Sequence, residues 1–251
     1  MSDSAPLAGG APARTAVVVQ SSYIPWKGYF DLIGSADEFV LFDDVQYTRR
    51  DWRNRNRIKT AQGIAWLTIP VAVKGKYHQR IRDTRVSDPG WARRHWATLV
   101  QAYSKAPYFR EGRDRFEPLY LGMTEQSLSL INRRFIDEIC DILGIRTRIS
   151  WSMDYELKEE GKNERLLGLC KALGCNRYLS GPSARGYLDE ALFGQNGISV
   201  EYMDYLGYPE YAQLHGPFVH EVSILDLIFN AGPHVPRYMK SARVRRQCNS
   251  A

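Results

Sequence analysis

The chain alternates between short apolar runs and longer amphipathic stretches. Residues 15–19, "TAVVV", form a continuous β-branched run of the kind found in strands that are buried on both faces. The same reasoning predicts further strands at 38–44, 64–73, 80–86, 147–152, 177–180 and 198–203. Helical patterns lie among them at 25–33, 88–106, 127–144, 164–174, 187–193 and 223–232.

This alternation of strands and helices predicts an α/β fold with a mainly parallel sheet flanked by helices. Such a fold is Rossmann-like or nucleotidyltransferase-like, and we expect a single domain over 15–235 with a β-rich insertion at 44–86. The first residues, 1–14, are rich in Ala, Gly, Pro and Ser and are expected to be a disordered leader. Residues 236–251 form a basic tail.

Ligands of parallel sheets bind beyond the carboxyl ends of the strands, which directs attention to three places. The first is "QSSYIPW" after the strand at 15–19, where Gln20, Tyr23 and Trp26 could form a wall. The second is the pair Asp43 and Asp44. The third is "SGPSARGY" after 177–180, where Ser180, Gly181 and a helix N-terminus could meet an anion, although a tight strand-to-helix turn explains it equally well.

Composition excludes several classes of protein. No apolar stretch among the 251 residues reaches the length of a membrane span, so we expect a soluble protein without a membrane partner. The four cysteines make no CxxC pair, which argues against a zinc site or disulfide framework and fits a reducing cytoplasm. No Asp/Glu/His cluster has metal-ligand spacing, so no metal is predicted, and no cofactor is indicated.

The net charge of +6 is concentrated at 49–59 and in the tail at 237–246. In "DDVQYTRRDWRNRNRIK", arginines alternate with other residues if the segment is a strand. Guanidinium and amide groups suit an anionic, polar substrate, so the predicted binding residues here are Gln46, Arg49, Arg53, Asn54, Arg55 and Asn56. The alternative is a charged edge strand, which explains the arginines but not the asparagines, a residue depleted from strands.

Carboxylates and tyrosines supply the other candidates. Asp43 and Asp44 are the predicted catalytic pair, as a base or as a group that orients the substrate; their alternative role is to pair with the following arginines. The irregular segment 204–218 is dense in Tyr, Pro and Gly, and Tyr211 could line a ligand or simply pack onto the core.

Six sequence blocks carry a family resemblance. In order, they are "QSSYIPWKGYFDLI", "FVLFDDVQYTRRDWRNRNRIK", "WLTIPV", "KAPYF", "YLSG" and "SILDLIFNAG". Together they resemble the WbqC-like protein family, and the resemblance covers nearly the whole chain after the leader. The resemblance implies an enzyme of surface-polysaccharide or specialised-metabolite biosynthesis. One departure stands out. Many members have "HQPNYLPW" where this chain has "VQSSYIPW", so Val19 replaces a histidine.

Three functions remain open from the sequence. The first is transfer of an acyl or aminoacyl group to a polar small molecule such as an amino sugar. The second uses aminoacyl-tRNA as donor, since basic segments bind phosphates. The third is a non-catalytic partner of a glycan-biosynthesis enzyme, in line with the lack of a recognisable catalytic triad.

Overall fold

The computed structural model of the chain describes residues 13–241. Nearly all of the expected leader at 1–14, and the basic tail beyond residue 241, lie outside the described residues. The elements within this range are seven strands and seven α-helices, joined by short 3-10 turns.

The strands are β1 (Thr15–Val19), β2 (Glu38–Leu41), β3 (Arg55–Thr60), β4 (Gly63–Thr68), β5 (Arg148–Trp151), β6 (Arg177–Ser180) and β7 (Ser199–Tyr202). The helices are α1 (Lys27–Gly34), α2 (Trp91–Tyr103), α3 (Phe109–Leu121), α4 (Leu128–Ile142), α5 (Lys162–Ala172), α6 (Glu190–Gln195) and α7 (Ile224–Ala231).

Five strands form one parallel sheet in the order β5-β2-β1-β6-β7. Counted along the chain, this is third, second, first, fourth, fifth, the order of the Rossmann-type doubly wound sheet. The α/β fold predicted from the sequence is therefore confirmed. Strand order reverses between β1 and β6, because β2 and β5 lie on one side of β1 while β6 and β7 lie on the other.

The sheet is covered on both faces, as the unbroken apolar run of β1 predicts. Val17 faces a large core that includes residues of α1, α2, α3, α4 and α7. Ala16 and Val18 point the other way, into a second core built with α5 and α6. Helix α2 lies within the helical pattern predicted at 88–106, and it buries Trp91, His95, Leu99 and Tyr103 along one face.

A separate antiparallel hairpin, β3–β4, lies within the predicted insertion at 44–86. Its inner side joins the main core through Ile58 and Leu67. Backbone hydrogen bonds tie it to the body of the protein: Ser223 N donates to Arg57 O at 2.8 Å, and Tyr23 N donates to Trp52 O, just before the hairpin, at 3.1 Å. The hairpin is thus held against the carboxyl end of β1.

The strand predicted at 80–86 is wrong. Residues Ile81–Asp83 form a 3-10 turn, and this segment adds only isolated bridges at Arg80, Arg85 and Val86. The buried side chains are Ile81 and Thr84, which are three positions apart. That spacing suits a turn, whereas a strand with one buried face needs a spacing of two.

Helix α3 is absent from the sequence prediction. Its buried positions, Phe109, Gly112, Phe116 and Tyr120, do have helical spacing, but one of them is a glycine and Pro118 lies inside the helix. Gly112 is required by close packing, because a Cβ there would lie 2.5 Å from the Phe229 ring of α7. The glycine that allows α3 to pack closely against α7 is also a position where the apolar pattern of α3 is interrupted.

Candidate functional site

The strand order of the sheet reverses between β1 and β6, and these two strands pair over only a short length. β1 pairs with β2 over four residues but with β6 only over Thr15 and Ala16. The carboxyl-terminal half of β1 therefore makes no ladder with β6. In doubly wound sheets, this reversal point is where ligands bind, beyond the carboxyl ends of the strands.

A cavity of about 260 Å³ lies at this end of β1, and we call it the edge cavity. One wall comes from β1, the turn after it and the start of α1, and consists of Val19, Ser22, Pro25, Trp26 and Tyr29. The opposite wall comes from the hairpin and the loop before α7, and consists of Trp52, Arg53, Asn56, Arg57 and Glu221. The lining combines aromatic rings with two guanidinium groups and one carboxylate.

The turn between β1 and α1 is strained. Ile24 has φ of 37°, in the left-handed region that a β-branched residue rarely adopts. Such a conformation costs on the order of 1–3 kcal/mol and persists only where neighbouring groups enforce it. Asn56 is one of these groups, because its Nδ2 donates to Tyr23 O at 3.1 Å and to Ile24 O at 3.0 Å.

Buried polar side chains hold the first part of the same turn. Asp43 is fully buried and accepts hydrogen bonds from Ser21 N at 2.8 Å and from Ser129 Oγ. Asn132 Nδ2 donates to Ser21 Oγ and to Arg53 O, both at 2.9 Å. Burial raises the pKa of Asp43, while the hydrogen bonds from Ser129 and Ser21 oppose that shift. These groups join the turn to the hairpin and fix the shape of the cavity.

Trp26 reaches the cavity by folding back over the first turn of α1. A Cβ on Gly28 would lie 2.3 Å from Cζ2 of this indole, so only glycine leaves room for it. The other side of the ring contacts Tyr205 edge-on, with the centroids 5.1 Å apart. Trp26 is therefore fixed between the helix and the loop that follows β7.

The two arginines of the wall have unused donors. Arg53 Nη1 donates to Gln20 Oε1 at 3.2 Å, but its Nε is buried without an acceptor among the described residues. Arg57 Nε is also buried without an acceptor in the range 13–241. The nearest carboxylate to Arg57 is that of Glu221, at 3.7 Å, which is longer than a hydrogen bond. Two guanidinium groups that line one cavity are suited to an anionic ligand.

Comparison with known proteins identifies the family of the chain. The WbqC-like protein family matches residues 20–238. The chain belongs to this family. The uncharacterized protein Rv1507c of Mycobacterium tuberculosis is 52% identical over 230 residues, which cover 92% of this chain and 99% of that protein. No solved structure matches the chain.

Two of the blocks on which the resemblance to the WbqC-like family rests, "QSSYIPW" and "WRNRNRI", both contribute residues to the edge cavity. Of the residues predicted for the site, Trp26, Arg53 and Asn56 line the edge cavity, and Gln20 contacts it through Arg53. Val19 also lines the cavity, at the position where the resemblance gave a histidine. None of the described lining residues is a histidine.

Tyr23 and Asn54 lie in the protein interior instead. Tyr23 has no exposed surface, and its hydroxyl is 2.9 Å from His95 Nδ1 and 2.7 Å from the Tyr120 hydroxyl. Asn54 Nδ2 donates to Ile69 O at 2.7 Å, while its Oδ1 is buried without a donor among residues 13–241. Tyr23 therefore anchors the turn, and Asn54 anchors the hairpin.

The remaining predicted residues of the arginine block are spread over the surface. Gln46 Nε2 donates to Tyr77 O at 2.9 Å, and Arg49 Nη2 donates to Val73 O at 2.8 Å. These two line a second depression of about 340 Å³. Arg55 donates to the backbone oxygen of Arg50. Gln46 and Arg49 thus lie outside the edge cavity.

Asp44, Ser180, Gly181 and Tyr211 do not line the edge cavity either. Asp44 accepts from Ser152 Oγ at 2.5 Å and from Arg165, so it joins β2 to β5 and α5. Ser180 and Gly181 end β6, where a Cβ on Gly181 would lie 3.9 Å from the Tyr205 hydroxyl. The Tyr211 hydroxyl donates to the buried Asp226 at 2.8 Å.

Seven wall residues were not among the predicted site residues, namely Val19, Ser22, Pro25, Tyr29, Trp52, Arg57 and Glu221. Arg57 and Trp52 lie within the quoted arginine block, and the alternation of that block carried a signal for Arg57. Tyr29 lies in the family block after β1. Glu221 comes from a distant loop, and no local pattern indicates it. Only tertiary structure brings Glu221 to the hairpin.

Two further observations bear on ligand classes. Across residues 13–241, no cluster of three or more His, Cys, Asp or Glu side chains could hold a metal ion. The helices of the described range are all too short or too polar to cross a membrane.

Proposed function

We propose that this WbqC-like protein is a transferase that binds an anionic, polar small molecule in the edge cavity. The observation that carries the proposal is that two arginines, Arg53 and Arg57, line one cavity whose described lining residues include a single carboxylate, that of Glu221. Two guanidinium groups at the ligand-binding edge of a doubly wound sheet favour a phosphate or carboxylate. An amino sugar that carries such a group fits this chemistry.

The reaction that we propose is transfer of an acyl or aminoacyl group to the amine of this substrate. The amine nitrogen attacks the carbonyl carbon of an activated donor, the new C–N bond forms, and the bond to the leaving group breaks. Glu221 supplies the only carboxylate among the described wall residues, so it takes the proton that the amine loses. Asp43, predicted as catalytic, is proposed here to position the turn through Ser21.

The proposed setting is the cytoplasm, in the synthesis of a surface polysaccharide or a specialised metabolite. The tRNA-dependent alternative stays a prediction, since most of the basic tail lies outside residues 13–241. The non-catalytic alternative predicts binding without turnover. Both are separated from the leading proposal by the experiment that follows.

The test measures binding and turnover with a panel of amino-sugar phosphates, offered with acyl-coenzyme A and aminoacyl-tRNA donors. Replacing Arg57 by Ala removes charged hydrogen bonds, so the Kd of the bound phosphate should rise about 10- to 100-fold by calorimetry. Arg57→Lys should recover part of the loss. Arg113→Ala, which removes an exposed pair with Glu117 on α3, is the control and should bind normally.

Glu221→Gln separates chemistry from binding. The proposed proton acceptor is lost while the shape of the wall is kept, so product formation measured by mass spectrometry should fall at least 100-fold with little change in Kd. Unchanged turnover in this variant would remove Glu221 from the mechanism. Binding of the phosphate that does not respond to Arg57→Ala would contradict the proposed site as a whole.

A further inference from the structure

Two exposed indole rings lie together at the β3–β4 hairpin: Trp66 belongs to β4, and Trp52 lies just before β3. Trp52 and Trp66 are 41% and 44% exposed. Their ring centroids are 5.5 Å apart and the ring planes are inclined by 33°. Burying indole surface is strongly favourable, so an exposed pair of this kind calls for a partner.

Two guanidinium groups accompany these rings. Arg55 lies over the Trp66 ring, 4.2 Å from its centroid. Arg57 lies 5.7 Å from the centroid of Trp52 and 5.9 Å from that of Trp66. We call Trp52, Trp66, Arg55 and Arg57 the tryptophan platform.

The tryptophan platform is continuous with the edge cavity. Trp52 and Arg57 belong to both, since each also lines the cavity wall. A ligand that places a planar group on the rings would therefore have Arg57 beside it and the cavity beyond. Arg57 therefore lines the cavity and also lies beside the indole rings.

We propose that the tryptophan platform binds the base of a nucleotide-linked substrate. The phosphate of this substrate contacts Arg57, and its amino sugar, which accepts the transferred group, enters the edge cavity. This inference rests on the proposed function and names its substrate class as a nucleotide-linked amino sugar. Bases stack on aromatic side chains, and guanidinium groups bind phosphate. The platform thus offers both contacts in the order in which a nucleotide presents them.

The chemistry of the platform disfavours other occupants. Arginine and tryptophan side chains donate hydrogen bonds but accept none, whereas the hydroxyl groups of a bare sugar need acceptors as well. Phosphate oxygens only accept, so they match this donor set. A second copy of the chain would bring another positive platform and a net charge of +6, and the two would repel.

The experiment uses calorimetry on the full chain with three probes: uridine diphosphate, adenosine diphosphate and inorganic pyrophosphate. Uridine diphosphate and adenosine diphosphate should bind at least tenfold more tightly than pyrophosphate, because only they carry a base. Trp66→Ala should weaken both nucleotides about tenfold or more and leave pyrophosphate unchanged. Trp66→Phe should keep most of the affinity and also shows that a ring is tolerated there.

The control is Tyr187→Ala, which removes an aromatic side chain that is 60% exposed elsewhere on the surface. It should leave all three affinities unchanged. Nucleotides that bind no better than pyrophosphate, or that ignore both Trp66 variants, would overturn the inference. Tight binding of a decauridine strand with a steep salt dependence, without binding of the mononucleotides, would overturn it in favour of RNA.

Failure of this inference can be told apart from failure of the proposed function. If the base contributes nothing but Arg57→Ala still abolishes binding of an amino-sugar phosphate, the edge cavity remains the anion site and the platform does not. If Arg57 and Glu221 variants keep full turnover, the proposed function fails regardless of what the indole rings bind.

Discussion

Individual polar residues near the edge cavity act mainly as supports, and one buried chain of hydrogen bonds shows this most clearly. The carbonyl oxygen of Thr68 can only accept, so His95 Nε2 carries the proton that it donates over 3.1 Å. His95 Nδ1 must then accept from the Tyr23 hydroxyl, which in turn accepts from Tyr120. Each of these hydrogen bonds then has a fixed donor and acceptor, and together they hold Tyr23 beside the strained Ile24.

This arrangement predicts a pH dependence of stability. Burial lowers the pKa of His95 from 6.5 to about 4, so the folded protein keeps the ring neutral while the unfolded chain protonates it. The contribution of the neutral His95 ring to the free energy of unfolding is therefore fully present above pH 6.5 and is lost as the pH falls towards 4. Its size is about 3 kcal/mol. Urea unfolding at pH 7.0, 5.5 and 4.5 measures it.

His95→Gln provides the comparison for that measurement. Asp43 and Asp226 also have raised pKa values because of burial, and they titrate in both proteins. The difference between the two pH profiles therefore isolates His95. We expect the variant to be less stable at pH 7 but to lose less on acidification. Parallel profiles would show that His95 does not remain neutral in the fold.

At the scale of elements, the entry of helix α1 determines the cavity wall. The helix begins at Lys27, directly after Trp26, and its residues are all buried. Trp26 packs against Tyr205 and Tyr208 on one side and needs the bare backbone of Gly28 on the other. Helix α1 thus positions the side chain of Trp26, the residue that precedes it.

Gly28→Ala tests this packing. Alanine is favoured over glycine in a helix by roughly 0.5–1 kcal/mol, but its Cβ would displace the Trp26 indole. Since overpacking costs roughly 1–3 kcal/mol, we expect a net loss of about 1–2 kcal/mol and a shift in tryptophan fluorescence. Urea unfolding and emission spectra check both, and phosphate binding should weaken about tenfold.

Gly194→Ala in α6 is the matched control, because a Cβ there meets no atom within 4 Å. This variant should be as stable as the natural protein or more stable, with unchanged emission and binding. Equal behaviour of the two alanine variants would show that the Trp26 position does not depend on Gly28.

At the scale of the whole molecule, α1 also connects the sheet to the end of the described chain. Asp31 Oδ1 accepts from Ser241 N at 2.7 Å and from Ser241 Oγ at 2.6 Å. Its Oδ2 accepts from the Tyr208 hydroxyl at 2.6 Å and from Lys240 N at 2.9 Å. One buried carboxylate thus joins α1, the loop after β7 and residues 240–241.

Asp31→Asn should destabilise the protein although it is isosteric. Each carboxylate oxygen receives a backbone N–H, so either orientation of the amide places its Nδ2 against a donor that cannot reverse. We expect a loss of about 2–4 kcal/mol in the free energy of unfolding, measured in urea. Asp137→Asn, in an exposed pair with Arg133, should cost less than about 1 kcal/mol, and a similar loss in both would contradict this role.

The sequence by itself determined the sheet strands and every α-helix of the described residues except α3, because burial on both faces leaves an unbroken apolar run and helical faces repeat at fixed spacing. β1 and β6 have the predicted bounds, and α2 lies within the predicted helical range. The sequence did not determine the structure of residues 80–86, because a turn there shows the alternation expected of a strand. It also did not predict α3, because Gly112 and Pro118 interrupt the helical pattern.

Tertiary structure alone decided the candidate site. The sequence placed polar side chains after β1 and β2, and Trp26, Arg53 and Asn56 do meet at one cavity. It could not tell which of the others turn inward, because Tyr23 and Asp43 are buried by partners more than 70 positions away. Glu221 reaches the wall from the opposite end of the chain. A local pattern records the type of a residue, whereas its neighbours in space decide whether it supports the site or lines it.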